Sequence, residues 1–222
     1  ALTNVDTCEE HPDRAYRMNV LAVEHLVRWL TTHPGCTLVH LSTDQIYDGP
    51  GPHHEDDVHV VNTYGLSKIA SEQTALRANG VCMRTNFFGK SKASHRLSFS
   101  DWLCASLQDK QPLNLFTDVL FNPLSMATLS EEIGRVLASP HSGVCNLGSE
   151  GGGISKRDFG HRLAVMEGLS TAHVCDTTRS DVGLRAKRPG DMRMDVRRYV
   201  AAFGAKLPNV LDEIDNWRRE PQ

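Results

Sequence analysis

No stretch of the chain approaches the roughly 18 uninterrupted apolar residues that a membrane helix needs. The opening residues, Ala1 to Asp6, offer neither a basic start nor an apolar signal core. A cytoplasmic chain, with no membrane partner, is the resulting expectation. Basic clusters are also missing: 24 Lys and Arg face 27 Asp and Glu, a net charge of -3, with no block able to track a phosphate backbone. Nucleic acid is thereby disfavoured as a partner. Aromatic residues are scarce at 6%, yet 40% hydrophobic and 23% charged content over 222 residues describes a globular chain. That length suits one large domain or two small ones.

The six cysteines form no C-x-x-C pair and sit mostly in apolar runs such as Val81-Cys82-Met83. They read as small buried hydrophobes in a reducing compartment. The densest potential metal cluster is His53-His54-Glu55-Asp56-Asp57. Adjacent loop residues rarely converge on one ion, and no second cluster completes the shell, so no metal is expected.

From Asp13 to Thr32, Ala15, Met18, Ala22, Leu26 and Leu30 recur at helical spacing, with Val23 and Trp29 beside them. The spacing predicts an amphipathic helix buried along that stripe. His33-Pro34-Gly35 stops it, and the β-rich run Cys36 to Leu41 follows, ending in Ser42-Thr43-Asp44. The pattern repeats with a helix near Thr63 to Asn79, a C-cap glycine at Gly80, and a strand from Val81 to Thr85. Further helices are expected near Phe99 to Gln108, Ser130 to Ala138, Ser155 to Met166 and Asn209 to Arg219. Leu113 to Phe116 and Gly143 to Leu147 read as strands. Between Met166 and the last helix lie an irregular segment and a basic stretch, Arg185 to Arg198. Alternating strands and helices imply an α/β fold: a Rossmann-like, doubly wound parallel sheet with a smaller carboxy-terminal α/β region across its strand ends. Ligands bind at those ends, which directs attention to Ser42-Thr43-Asp44 and Thr85-Asn86-Phe87.

Tyr64-Gly65-Leu66-Ser67-Lys68 opens the second helix, where i, i+4 spacing puts the phenol and the ammonium on one face. A free phenol titrates near 10, roughly, and a fixed cation beside it favours the phenolate and brings it nearer the range of a working acid or base. Alone the pair is weak, since a solvated helix pair has the same spacing. Its weight comes from the order: Asn19 on a helix, Ser42-Thr43-Asp44 at a strand end, Tyr64 and Lys68, then Arg84-Thr85-Asn86-Phe87.

In that combination the chain resembles the extended short-chain dehydrogenase/reductases, and within them the dTDP-4-dehydrorhamnose reductase group. The carrying segments are Thr3 to Glu9, Leu41 to Gly49, Tyr64 to Glu72, Arg84 to Gly89 and Arg188-Pro189-Gly190-Asp191. The resemblance implies hydride transfer from NADPH or NADH to the 4-keto group of a nucleotide-activated deoxysugar. Tyr64 then donates the proton, Lys68 holds the nicotinamide ribose and tunes the tyrosine, Thr43 hydrogen-bonds the carbonyl, and Asn19 supports the relay. Ala1, Leu2, Thr3, Leu41 and Ser42 match cofactor contacts, alongside Tyr64 and Lys68. Val5, Thr43, Asp44, Asn86, Phe87, Arg188 and Asp191 match the substrate side, with the Arg188 guanidinium suited to a diphosphate. It further implies a nucleotide-binding part over residues 1–89 plus 121–148 and a substrate-binding part over 90–120 plus 149–222.

Departures bear on specificity. Phe87 stands where the rhamnose enzymes usually have tryptophan, and Phe116 to Leu124 replaces a more polar stretch. The Gly-rich turn that opens family members does not precede Ala1. An interior strand edge and apolar helix faces are therefore expected to be exposed, with a second copy of the chain, hence a homodimer, as one way to cover them. Gly148 to Gly153 fails G-x-G-x-x-G because Glu150 occupies the second glycine position, and Ser155-Lys156-Arg157-Asp158 reads as a capping box. Two rivals stand beside the reductase. One is a binding protein of the same fold, as in the regulatory subunit of methionine adenosyltransferase, or an inactive truncated reductase. The other is an epimerase or dehydratase, although Thr43-Asp44 lacks the dehydratases' additional acid.

Overall fold

The computed structural model describes residues 1–91, 97–139 and 141–216. At its centre three parallel strands, β1 (Val39–Leu41), β2 (Val81–Thr85) and β7 (Gly143–Leu147), lie in the order β1-β2-β7. Val39 faces Val81 and Cys82 faces Val144. Every residue of β2 is buried, as a central strand covered on both faces requires. Its side chains alternate: Cys82 joins Val23 and Ala75 on one side, whereas Val81 and Met83 join Leu129, Val136, Leu147 and Tyr199 on the other.

The first face is covered by α3 (Ala22–Leu30) and α4 (Thr63–Leu76), and α1 (Val5–Glu10) and α2 (Pro12–Tyr16) pack against α4. The second is covered by α6 (Met126–Ala138) and α8 (Arg197–Phe203). Beyond the strand ends, β3 (Phe87–Phe88) pairs with β6 (Leu124–Ser125), β4 (Leu113–Phe116) with β9 (Val174–Thr177), and β5 (Leu120–Phe121) with β8 (Ile154–Ser155). These pairs, with α5 (Phe99–Gln108), α7 (Lys156–Glu167) and α9 (Val210–Asp215), enclose a second core around Phe88, Leu103, Phe121, Phe159 and Leu163. No described helix is long and apolar enough to cross a membrane.

Several local expectations are corrected. The helix from Pro12 to Leu30 carries a π turn over Arg17–Leu21, which turns both Asn19 and Val20 inward. Val20 and Val23 are buried, while Met18, Leu26 and Trp29 of the expected inner stripe face outward. The helix has two apolar faces, and the valine face fits against α4. The left-handed residue after α4 is Asn79, not Gly80. Gly80 serves close packing instead, since a Cβ there would lie 2.8 Å from the Ala75 carbonyl. The first strand shortens to Val39–Leu41, and the segment expected to be irregular supplies β9. Trp217 to Arg219 of the expected last helix lie outside the described residues.

A buried ion pair ties these layers together. Arg84 on β2 donates to Glu72 on α4 through Nε at 3.0 Å and through a terminal nitrogen at 2.7 Å. Its other terminal nitrogen donates to the Tyr47 hydroxyl at 2.8 Å, which in turn donates to Asn146 Oδ1 on β7 at 2.7 Å. Neither charge reaches solvent appreciably: the side chains are 4% and 0% exposed. Substituting Arg84→Met strands the Glu72 carboxylate and is expected to cost about 3–5 kcal/mol in urea unfolding. The Glu72→Met/Arg84→Met double variant should recover most of that loss; a single variant as stable as wild type would refute the role of the pair.

Candidate active site

The first turn of α4 is fixed before any ligand is considered. Asn62 caps it, its Oδ1 accepting from Gly65 N at 2.8 Å while its Nδ2 donates to the Lys187 carbonyl at 3.0 Å. Glu9 accepts from Thr63 N at 2.9 Å. A Cβ at Gly65 would sit 2.8 Å from the Gln45 carbonyl, so glycine lets this turn lie directly against the loop that follows β1. Tyr64 thereby enters a small apolar cluster with Leu2, Val5, Cys8 and Ala15.

Lys68, one turn along, points to the strand end. Its Nζ donates to the Leu41 carbonyl at 2.7 Å and lies 3.4 Å from His40 Nε2. Burial lowers its pKa from the ordinary lysine value. His40, which also contacts the Ser71 hydroxyl at 2.9 Å, is held neutral: burial and then the Lys68 charge push it down to about 3. An ammonium has three donors, and the two partners found here leave it capacity for another acceptor.

Asn19 sits under the same turn. Its Nδ2 donates to Ser67 Oγ and to the Leu2 carbonyl, both at 2.9 Å, and its Oδ1 accepts from Leu2 N at 2.7 Å. The side chain therefore ties the opening segment to α4. Ala1 is exposed, Leu2 and Thr3 half-buried, and Leu41 stands at the open edge of β1.

Ser42, Thr43 and Asp44 are all buried at the end of β1. Thr43 Oγ1 accepts from Gln45 N at 3.2 Å, and Asn86 donates to Asp44 Oδ2 at 2.6 Å. Burial raises the Asp44 carboxyl to about 6, against the pull of Lys156, Asn86 and Thr43. Among the described residues the buried hydroxyl of Ser42 has no hydrogen-bond partner, nor has that of Thr85 at the end of β2. Two orphaned hydroxyls at neighbouring strand ends, beside an ammonium with spare capacity, fit a polar ligand such as a nucleotide ribose or a sugar.

The remaining residues fall further out. Arg188 is held by Asp6, at 2.7 and 3.1 Å, and donates to the Ala186 carbonyl. That guanidinium holds the Asp6 carboxyl below the usual range. Asp191 accepts from Arg193 at 2.6 Å and from Gly51 N at 2.9 Å, closing the loop after β1 onto the carboxy-terminal segment. Phe87 is 44% exposed. Of the histidine-rich run, His53 Nε2 donates to the Asp191 carbonyl and Glu55 accepts from Asn146 N. No described group of three His, Cys, Asp or Glu is placed to hold a metal.

Near Asp44 a cavity of about 170 Å³ is lined by Gln45, Phe99, Trp102, Phe116, Lys156 and Arg188, among others. Sequence reasoning missed His40 and Lys156. His40 gave no signal, since its role depends on α4 lying across β1, and Lys156 was masked by its place in a helix start.

The chain is similar over 96% of its length to a probable low-salt glycan biosynthesis reductase of Haloferax volcanii, at 24% identity and across 73% of that protein. A dTDP-4-dehydrorhamnose reductase of Sinorhizobium fredii is 26% identical over 94% of the chain and 74% of its own length. Among solved structures, a dTDP-4-dehydrorhamnose reductase from Bacillus anthracis in complex with NADP superposes with a TM-score of 0.88 at 21% identity, covering 100% of this chain and 78% of that one. The fold is that of these α/β reductases. The model of the RmlD substrate binding domain matches residues 1–219, and the chain belongs to that family.

Proposed function

We propose that this chain uses NADPH or NADH to reduce the 4-keto group of a nucleotide-activated deoxyhexose, as the names of its dTDP-4-dehydrorhamnose reductase relatives describe. The observation that carries the reading is the Lys68 ammonium held at the Leu41 carbonyl, one turn after Tyr64 and two residues before Thr43. A bound reduced nicotinamide supplies the hydride.

The chain's own residues handle the proton and the charge. Tyr64 gives its phenolic proton to the carbonyl oxygen as that oxygen takes on alkoxide character. The Thr43 hydroxyl donates to the same oxygen. The Lys68 cation stabilises the phenolate left behind, and its remaining donor suits a ribose hydroxyl. Asn19 acts through Ser67 and Leu2, fixing the turn that carries Tyr64. Ala1, Leu2, Thr3, Leu41 and Ser42 lie on the cofactor side in this reading. Val5, Asp44, Asn86, Phe87, Arg188 and Asp191 lie on the substrate side. The nucleotide-binding part comprises residues 1–89 and 121–148, and the substrate-binding part residues 90–120 and 149–222, with α8 returning to pack on the central sheet.

In an assay of NADPH oxidation with a dTDP-4-keto-6-deoxyhexose, Tyr64→Phe should lower kcat by about 100-fold or more while cofactor affinity stays within about twofold. Lys68→Met should weaken both. Wild-type turnover by Tyr64→Phe would remove the tyrosine from the reaction.

Asp44 adds a pH signature. Its folded pKa, about 6, lies above the ordinary 3.8, so the folded state holds the proton more tightly than the unfolded one. Its contribution is therefore fully present below about pH 4 and is lost as pH rises through about 6. Urea unfolding across that window should show the loss in wild type and not in Asp44→Asn; parallel profiles would exclude a perturbed Asp44.

A further inference from the structure

Lys156 is the first residue of α7, and its backbone is fixed there: Lys156 N donates to the Val119 carbonyl, and Ser155 Oγ accepts from Asp158 N at 2.9 Å. Its ammonium lies 3.3 Å from the centre of the Phe121 ring and 4.4 Å from that of Phe99. It lines the cavity that Gln45, Trp102 and Arg188 also face. Among the described residues it has no hydrogen-bond acceptor and no carboxylate within ion-pair distance. Aromatic faces attract a cation but do not replace the oxygens that water would have given its three N–H groups.

The other cation of the cavity is differently placed. Both terminal nitrogens of Arg188 are engaged, by the two oxygens of Asp6 and by the Ala186 carbonyl. Its Nε–H and one terminal N–H remain for a ligand, but the guanidinium already shares its charge with the Asp6 carboxylate. Lys156 is free to act without any rearrangement. Its surroundings agree: burial brings its pKa down to about 8, and Asp44 is the carboxylate whose field it feels.

We propose that Lys156 takes an anionic oxygen of the bound nucleotide sugar, which supplies the acceptor that the described residues do not. The identity of the ligand rests on the reductase reading above. In the deoxyhexose substrate of that reading the diphosphate carries such an oxygen. The ammonium lies within the field of Asp44, one residue from the carbonyl-binding Thr43.

The test is calorimetric binding of dTDP, dTDP-glucose and dTDP-glucuronic acid to wild type, Lys156→Met and Lys156→Arg, with a thermal melt of each free protein. Lys156→Met should weaken binding by about tenfold or more, and Lys156→Arg should restore most of it. A loss common to all three ligands supports the diphosphate contact, and a loss confined to dTDP-glucuronic acid overturns it. The free Lys156→Met protein should melt no lower than wild type, because an apolar chain replaces a cation without acceptors between two rings. Equal binding of all three ligands by wild type and Lys156→Met overturns the proposal, as does a lowered melting temperature with binding unchanged. Either result leaves the reductase reading intact, since that reading stands or falls on NADPH oxidation.

Discussion

The site depends on the buried contact between Glu72 and Arg84. The pair joins α4 to the central strand, and through Tyr47 it extends to the loop after β1 and to Asn146 on β7. Two charges removed from water hold each other only where their geometry is complete, and here the guanidinium engages both carboxylate oxygens. The consequence is positional. One turn before Glu72, Lys68 reaches the Leu41 carbonyl, and one turn before that Tyr64 packs against Leu2 and Val5.

The opening segment is held by the same logic from the other side. Asn19 satisfies both backbone groups of Leu2 while contacting Ser67, and it lies in the π turn, buried against α4. Glu9 and Asp6 add a second tie, to Thr63 and to Arg188. Four elements thus meet at one corner of the sheet, where orphaned hydroxyls and an ammonium with spare capacity face the strand ends.

What was legible in the sequence was mostly local. Tyr64 and Lys68 share a face because four residues make one helical turn, and Thr43 sits at a strand end because the apolar run stops before Ser42. Interactions across the chain were not legible. Asp6 and Arg188 are 182 residues apart, and nothing near either residue announces the pairing that occupies Arg188. Lys156 followed a capping serine and so read as helix punctuation; only the approach of Phe99 and Phe121 makes it a cation facing a cavity. The outer stripe of the first long helix misled because both of its faces are apolar, and the choice between them is made by α4. The strand Val174–Thr177 escaped notice because its middle residues, Cys175 and Asp176, are exposed, and its partner Leu113–Phe116 lies far back in the chain.

The central claim is that the corner formed by Tyr64, Lys68 and Thr43 reduces a sugar ketone. The most direct measurement mixes the chain with NADPH deuterated at the transferable position and a dTDP-4-keto-6-deoxyhexose, and follows the sugar by mass spectrometry. The account predicts an alcohol carrying one deuterium on the former carbonyl carbon, formed at the rate of nicotinamide oxidation. A folded chain that binds both molecules and transfers no deuterium would contradict it.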